Sequence, residues 1–308
     1  MLENFKIITY HYVREKSRTY PYLNILSKNK FQKQIKYLIS KKKILSPHEI
    51  HYRIKNNIKF ESNEFWLTFD DGYKDHYNFV IPILDKYNIK ASFYPANIDN
   101  KITRVMNVNK VQFILSKFRN KQKLFNEIKN IYLEKNNLIS FNQIIPKKIN
   151  GFNKFDELIT KRIKFLLSVG FPNDIKNKII NFLFKKYITN DEKDFAEKLY
   201  LNISELKEIN KLGNEIGGHG RKHLKLEFLS YPEQIEEIHT AKKFLIKNKL
   251  INNDYWSFCY PHGSYNKNSL KILKKLNASC ALTIKEGKIN RKSPYEFSRL
   301  DTNKLRIY

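Results

Sequence analysis

The sequence predicts an α/β fold in which short parallel strands alternate with amphipathic helices. Apolar runs at 5–10, 65–69 and 91–94 have the length and composition of buried strands. Stretches in which apolar residues recur at helical spacing follow the first two of these runs, and the alternation resumes near residue 202. Repeated βα units of this kind imply a parallel sheet or barrel, because each crossover helix returns the chain to begin the next strand in the same direction.

Three helices are predicted in the first hundred residues. Phe31, Ile35, Leu38 and Ile39 recur at the spacing of one helix face. The run SPHE at 46–49 has the pattern of a capping box with proline at the first helical position, so a second helix should begin there and reach about residue 54. A third helix is expected over about 74–87.

The C-terminal third repeats the same alternation. Leu206, Ile209 and Leu212 should line one helix face, and Gly213 is well placed to end that helix. The remaining elements are strands at 215–218, 256–260 and 280–284, with helices at about 232–249 and 267–276. Residues 101–200 show mainly helical patterns and few strand signals. We therefore expect one domain over residues 1–308 with a helical insertion at 101–200.

The charge of the chain has two interpretations. Lys and Arg outnumber Asp and Glu by 58 to 30, which gives a net charge of +28 and would suit nucleic acid or an anionic membrane surface. However, only ten of the 58 basic residues are Arg, the side chain best suited to reading bases and gripping phosphates. We therefore interpret the excess of Lys mainly as compositional bias and expect no nucleic-acid partner, while peripheral membrane contact stays open.

The location of the protein is predicted from its cysteines and its apolar segments. Cys259 and Cys280 lie in apolar runs and form no CxxC pair, so buried free thiols are expected. The N-terminal residues lack the basic, apolar and small-residue pattern of a leader, and no run approaches 18 apolar residues. We expect a cytoplasmic protein. The sequence does not predict an oligomeric state.

The first candidate site follows the second strand. The run LTFDDG at 67–72 ends in Asp70, Asp71 and Gly72, and ligands of βα folds bind at this end of the strands. Two neighbouring carboxylates can divide the work, one binding a metal and the other acting as a base. Considered alone, the dipeptide more often indicates an Asp-Gly turn in which the second Asp caps a helix.

A second site is indicated by glycines around histidines. The chain has only nine Gly, and four of them surround His219 in GNEIGGHGRKH at 213–223. His219 and His223 are four residues apart and can present both imidazoles to one metal, although an HxxxH pair by itself is a weak signal. With one carboxylate they would complete a three-ligand site with open positions.

Two further strand ends carry candidate residues. The run FCYPHGSYN at 258–266 enters a Pro-x-Gly turn whose backbone N–H groups could bind an oxyanion, although an ordinary strand-to-helix turn is the alternative. His11, in TYHYV at 9–13, ends the first strand. A histidine there is more often structural than catalytic, but its position beside the other three segments favours a role in the site.

These four segments, in this order, resemble the motifs of the polysaccharide deacetylase (NodB-homology) family, carbohydrate esterases that remove N-acetyl groups from sugars. TFDDG at 68–72 resembles the first motif, HGRKH at 219–223 the second and YPHGSYN at 260–266 the third, while the opening TYHYV resembles a subgroup with an N-terminal YH motif. The resemblance covers about 1–100 and 202–305. It implies a distorted (β/α) TIM-like barrel forming a single catalytic domain.

The resemblance also assigns roles to residues. Asp71, His219 and His223 would bind one divalent metal ion, with zinc the first choice and cobalt, nickel, manganese or iron as alternatives, and Asp70 would be the general base. The loop Tyr260, Pro261, His262 and Gly263 would shape the acetyl pocket and oxyanion site.

Two departures from the family pattern affect the remaining roles. No Arg accompanies Cys259 in the third motif, so Arg299 becomes the candidate to orient the base. The late L-x-x-H histidine is absent from 282–285, which leaves the acid role to His11, or to His262 or water.

The function implied is a metal-dependent hydrolase that removes an N-acetyl or N-formyl group from an amino sugar in cell-surface glycan synthesis. The substrate would be an acetamido sugar, and a nucleotide-linked or lipid-linked form would carry phosphate that suits a Lys-rich surface. Two alternatives remain open: an O-acetyl esterase on a related glycan, and a non-catalytic glycan-binding protein that keeps the fold.

Overall fold

The computed structural model divides the chain into two compact units. The first consists of Met1–Glu15, Ile25–Ile102 and Glu197–Tyr308, and the second of Lys16–Asn24 and Thr103–Ala196. The structure describes residues 5–41, 43–96, 98, 102–135, 141–146, 149, 156–251 and 255–305. The organisation expected from the sequence, one domain with an insertion at 101–200, stays a prediction.

Parallel strands form the centre of the first unit. They are β1 (Lys6–Tyr10), β2 (Lys43–Ile44), β3 (Glu64–Asp71), β4 (Ser92–Pro95), β5 (Glu215–Ile216), β6 (Ser257–Cys259), β7 (Cys280–Leu282) and β8 (Leu300–Asp301). One sheet has the order β5-β4-β3-β1-β8 with β2 beside β3, and β6 and β7 form a second sheet. Every pair is parallel. This confirms the predicted parallel α/β class.

Isolated parallel bridges extend these two sheets. Gly218, just after β5, pairs with Phe258 of β6, which links the two sheets. Leu282 of β7 pairs with Phe297, which adds a residue to the other side of the second sheet. The strands therefore follow one another in a barrel-like arrangement, although the ladders among the described residues do not close into a continuous ring. In such an arrangement the carboxyl ends of all the strands lie on one face, where ligands bind.

The helices are α1 (Lys28–Lys41), α2 (Pro47–Lys55), α3 (Ile81–Lys86), α4 (Asn107–Lys117), α5 (Lys121–Lys135), α6 (Phe141–Ile144), α7 (Leu158–Phe165), α8 (Asn173–Tyr187), α9 (Glu192–Leu199), α10 (Ile203–Lys211), α11 (Tyr231–Lys247) and α12 (Lys267–Lys275). Ser46 caps α2 as predicted, since its Oγ accepts the Glu49 N–H at 3.2 Å. None of the described helices combines the length and apolar character that a bilayer-spanning segment needs.

Several elements differ from the sequence prediction. The helix expected over 74–87 is present over 74–86, but its residues His76–Val80 form a π-helical turn ahead of α3, which the sequence did not predict. β3 continues through both aspartates instead of ending before them. β2 and β8 were not predicted, because two-residue strands leave no periodic pattern. Ile39 and Leu212 are 42% and 40% exposed rather than part of the core faces to which their spacing assigned them.

Aromatic packing stabilises each unit separately. In the first unit, Tyr10 of β1 and Phe93 of β4 both stack on Phe69 of β3, the strand between them. Their ring centroids lie 5.0 and 4.9 Å from the Phe69 centroid. In the second, Phe113 and Phe184 meet Phe195 edge-to-face at 5.0 and 5.4 Å. Buried aromatic pairs of this kind add about 0.5–1.5 kcal/mol beyond the area that they bury.

A polar cluster is buried near the amino ends of the strands. Its centre is Glu215 of β5, whose carboxylate accepts hydrogen bonds from Ser92 at 2.5 Å and from Ser257 at 2.7 Å, and binds His51 Nε2 at 2.9 Å. Burial raises the pKa of Glu215, but His51 and the two hydroxyls lower it more, so the net shift of the pKa is downward. The ionised carboxylate of Glu215, on β5, therefore connects α2, β4 and β6 through its contacts with His51, Ser92 and Ser257.

We predict that Glu215→Ala lowers the free energy of unfolding by about 3–5 kcal/mol, because it leaves three buried polar groups without their shared acceptor. Asp85→Ala is the matched control. Asp85 pairs with Lys90 at 3.4 Å with its side chain 58% exposed, and removing it should cost no more than about 1 kcal/mol. Denaturant unfolding measures both values. Equal destabilisation by the two variants would contradict the role assigned to the cluster.

Candidate metal centre and base

The two aspartates occupy the carboxyl end of β3, in a turn that glycine makes feasible. Asp71 and Gly72 both have left-handed backbone, with φ of 71° and 68°. A Cβ at Gly72 would lie 2.7 Å from Pro95 Cβ, which is closer than real side chains approach. The turn thus requires glycine at position 72 and places a strained residue at 71, as functional sites often do.

Asp71 is joined to both predicted histidines. Its Oδ1 lies 3.3 Å from His219 Nε2 and 3.3 Å from His223 Nε2, and all three side chains are buried. One potential ligand atom from each residue lies within 4.8 Å of the other two. The structure therefore brings together the three residues that the sequence assigned to a metal.

The spacing of these three atoms suits a bound divalent ion. Ligands about 2.0–2.1 Å from a tetrahedral zinc are separated by roughly 3.3 Å, which is the distance found between Asp71 Oδ1 and each Nε2. His219 Nδ1 lies 2.7 Å from the backbone oxygen of Cys259. Donation of an Nδ1 proton to that oxygen leaves Nε2 with its lone pair directed at the site, as a metal-binding histidine requires.

The electrostatics of this trio favour a cation. Burial raises the pKa of Asp71, but its hydrogen bonds to His219 and His223 bring that pKa well below its usual value. For His219, burial lowers the pKa, yet Cys259 and Asp71 raise it to well above the usual value. Burial lowers the pKa of His223. The field that favours a proton on His219 also favours a metal ion between these ligands.

Asp70 faces a different partner, Arg299. Arg299 Nη1 donates to Asp70 Oδ1 at 2.8 Å and Nη2 donates to Oδ2 at 2.7 Å, in a fully buried two-point pair. Burial raises the pKa of Asp70, but the Arg299 guanidinium lowers it far more, so the pKa of this carboxyl lies well below its usual value. Arg299 follows the 3₁₀ turn Pro294–Glu296 and precedes β8. The sequence named Arg299 as a candidate to orient the base, and the structure places its guanidinium on Asp70.

Three other residues surround Asp70 Oδ2. Thr9 Oγ1 donates to it at 3.4 Å, the Cys259 thiol donates at 3.5 Å, and His11 Nε2 lies 3.8 Å away. The His11 side chain is 47% exposed, whereas Asp70 is buried. The His11 side chain therefore reaches solvent while its Nε2 stays 3.8 Å from the buried carboxylate.

Asp70, His219 and Cys259 form a second group with ligand atoms close enough for a metal. Two observations make it the poorer site. Both oxygens of Asp70 are already bound to Arg299. Burial raises the pKa of the Cys259 thiol, which keeps it protonated, and the thiolate is the form that binds metals. Asp71, His219 and His223 are the better donor set.

The predicted oxyanion loop lies against the histidines. The His262 ring is 4.4 Å from the His223 ring, and His262 has a left-handed φ of 57°. Tyr260 is buried behind the loop, while Pro261 begins a 3₁₀ turn that ends at Gly263. The Gly263 N–H donates to the Tyr260 oxygen at 2.8 Å, and the Tyr260 N–H donates to the Leu282 oxygen at 3.1 Å. These two groups already have acceptors, so they are not the oxyanion donors that the sequence suggested for this loop.

Sequence reasoning missed residues that orient the predicted ones. Tyr73 donates its hydroxyl to Asp71 Oδ2 at 2.6 Å. Burial and the nearby Asp71 charge raise the pKa of Tyr73 well above its usual value, so it remains a donor. Glu237 of α11 accepts the N–H groups of Arg221 and Lys222 at 3.1 and 2.9 Å, which fixes the loop between the histidines. Tyr73 follows TFDDG directly, whereas no motif marks Glu237.

A parallel α/β fold with two carboxylates and two imidazoles at its strand ends is typical of hydrolases that use a bound cation. The chain matches the family model described as polysaccharide deacetylase over residues 57–114 and 175–281, more than half of its length. It belongs to the polysaccharide deacetylase family, as its motifs indicated. The matched ranges contain Asp70, Asp71, His219 and His223, but neither His11 nor Arg299. The expected YH subgroup stays a prediction.

Solved structures show the same fold. The chain is similar to the Streptococcus pyogenes deacetylase PplD in complex with acetate, with 20% identity, a TM-score of 0.59 and coverage of 96% of this chain and 91% of that one. For IcaB from Ammonifex degensii the values are 15%, 0.56, 97% and 92%. For a de-N-acetylase from Aggregatibacter actinomycetemcomitans they are 14%, 0.53, 96% and 94%. No curated protein matched the sequence significantly.

Proposed function

We propose that this protein is a metal-dependent hydrolase that removes an N-acetyl or N-formyl group from an amino sugar during cell-surface glycan synthesis. Membership of the family supports a deacetylase that acts on carbohydrate. The observation that best supports this reaction is that the two adjacent carboxylates have different partners. Asp71 meets two imidazole nitrogens at 3.3 Å, while Asp70 is bound at two points by Arg299.

Asp71, His219 and His223 would hold the metal in this mechanism. A divalent ion there, zinc or alternatively cobalt, nickel, manganese or iron, would supply Lewis acidity and would lower the pKa of water to about 7. Asp70 accepts the proton that water loses as it attacks the amide carbonyl carbon. Arg299 lowers the pKa of Asp70, so the carboxylate is present in the unprotonated form that a general base needs, and its two-point pair holds both oxygens in place.

His11 is proposed as the general acid. Amide nitrogen leaves poorly unless it is protonated, and His11 Nε2 lies 3.8 Å from Asp70 on an exposed side chain that can reach the substrate. Transfer of a proton from His11 to the departing nitrogen completes the hydrolysis, in which one amide and one water give one amine and one carboxylic acid. His262, against His223, is the second candidate for this role.

The substrate carrier is proposed from the surface around the His262–Gly263 turn. A Cβ at Gly263 would overlap the side chain of Ile284, which is 58% exposed, so Ile284 borders this turn. The segment before α11 also reaches the end of this turn, because the Glu227 N–H donates to Ser264 Oγ at 3.1 Å. The next residue, Phe228, is 69% exposed, and Lys225 Nζ lies 6.0 Å from its ring centroid. Apolar side chains combined with lysine suit a sugar attached to a phosphate-bearing carrier, either a nucleotide or a lipid. The proposal places this reaction in the cytoplasm, with no nucleic-acid partner.

We predict that Asp70→Asn lowers kcat by about 10²–10⁴-fold, the usual contribution of a general base, while the variant still binds its metal. Asp85→Asn, which changes an exposed carboxylate in the same unit, is the control and should be as active as wild type. Turnover and metal content are measured on the same preparations. An Asp70→Asn variant with full activity would refute the base assignment.

The reaction itself is tested by mass spectrometry on nucleotide-linked and lipid-linked acetamido sugars. We expect equal amounts of free amine and acetate from one carrier class, loss of turnover with a chelator, and recovery on adding metal. A product with a new hydroxyl and an intact acetamide would instead identify an O-acetyl esterase. Binding of these sugars without turnover, in the presence of metal, would favour the non-catalytic glycan-binding protein.

A further inference from the structure

The two oxygens of Asp71 have different partners. Oδ1 faces both histidine nitrogens at 3.3 Å, whereas Oδ2 accepts the Tyr73 hydroxyl at 2.6 Å. A carboxylate oxygen in a short hydrogen bond to a neutral hydroxyl is less available to a second partner. The contact therefore distinguishes the oxygen that faces the metal site from the one that faces away.

Aromatic neighbours hold the Tyr73 ring in place. Tyr73 is fully buried, with the Tyr12 ring stacked on it at 3.9 Å and 20°, and the Tyr200 ring nearly parallel to it at 6.2 Å. Its backbone forms an antiparallel bridge with Tyr200. The hydroxyl is thus directed by packing rather than by a mobile side chain, as a group that orients a ligand must be.

An ion pair stabilises the outer end of this stack. The Arg14 guanidinium lies 4.8 Å from the Tyr12 ring centroid and donates to both oxygens of Asp75, at 2.6 and 2.8 Å. Arg14 and Asp75 are both at most partly exposed, which strengthens the pair. A continuous set of contacts therefore runs from Arg14 through Tyr12 and Tyr73 to Asp71.

We propose that Tyr73 is a positioning residue that makes Asp71 bind the metal through Oδ1 alone. This inference rests on the proposed metal-dependent function and adds a residue to it. With Oδ2 retained by Tyr73, Asp71 occupies one coordination position, and open positions remain for water and for the substrate carbonyl. Without the hydroxyl, Oδ2 is free to turn toward the ion. It would then occupy a coordination position that water or the substrate carbonyl needs.

The test is Tyr73→Phe, which keeps the ring and its stacking but removes the hydroxyl. Protein stripped with a chelator is titrated with zinc against a competing indicator, and separately with cobalt(II). We expect a zinc Kd about 10–100-fold higher than that of wild type, the usual effect of losing a hydrogen bond to a ligand. We also expect a weaker cobalt(II) visible absorption, because coordination by both oxygens raises the coordination number.

Tyr94→Phe is the matched control. Tyr94 is equally buried and its hydroxyl bonds Ser257 Oγ at 2.7 Å, so the variant loses one buried hydrogen bond away from Asp71. Its zinc Kd and cobalt(II) spectrum should match wild type. If Tyr73→Phe also matches wild type in both, the inference is wrong while the proposed function stands. If wild-type protein binds neither ion, the proposed function fails, and the inference with it.

Discussion

The site depends on the separate neutralisation of two adjacent buried carboxylates. Two negative charges on neighbouring residues, both withdrawn from water, would repel each other strongly unless each had its own positive partner. Arg299 supplies one partner by a two-point pair with Asp70. Asp71 faces two imidazoles and, in our proposal, a metal ion. The different partners give chemically similar side chains different roles, one as an oriented base and the other as a ligand.

Backbone strain at the strand ends makes this separation feasible. Asp71, His223 and His262 all have left-handed φ, between 57° and 71°, which non-glycine residues seldom adopt. The surrounding structure compensates for that strain. Glu237 accepts two N–H groups of the loop between the histidines, and Tyr73 fixes the second oxygen of Asp71. The contacts that orient the ligands are thus also those that keep an unfavourable backbone in place.

The sequence predicted the βα alternation and, with the family resemblance, the two aspartates and the histidines beside them, because these lie in strand-end motifs with characteristic spacing. It missed Tyr73, which donates to Asp71. It did not predict β2 or β8, since two-residue strands leave no periodic signal. Glu237 could not be found from any motif, because its function depends on how α11 packs beside the histidine loop. Arg299 could be named as a candidate only because an expected arginine was missing near Cys259, and its contact with Asp70 required the fold.

X-ray absorption of the zinc-loaded protein tests the division of roles most directly. We predict a first coordination sphere made only of nitrogen and oxygen at about 2.0–2.2 Å, with the scattering pattern of two imidazoles, since Asp71, His219 and His223 are the donors. The competing group, Asp70, His219 and Cys259, would place sulfur at about 2.3 Å and show a single imidazole. Sulfur in the first coordination sphere would contradict the assignment of Asp71 as ligand and Asp70 as base, because Asp70 would then bind the metal.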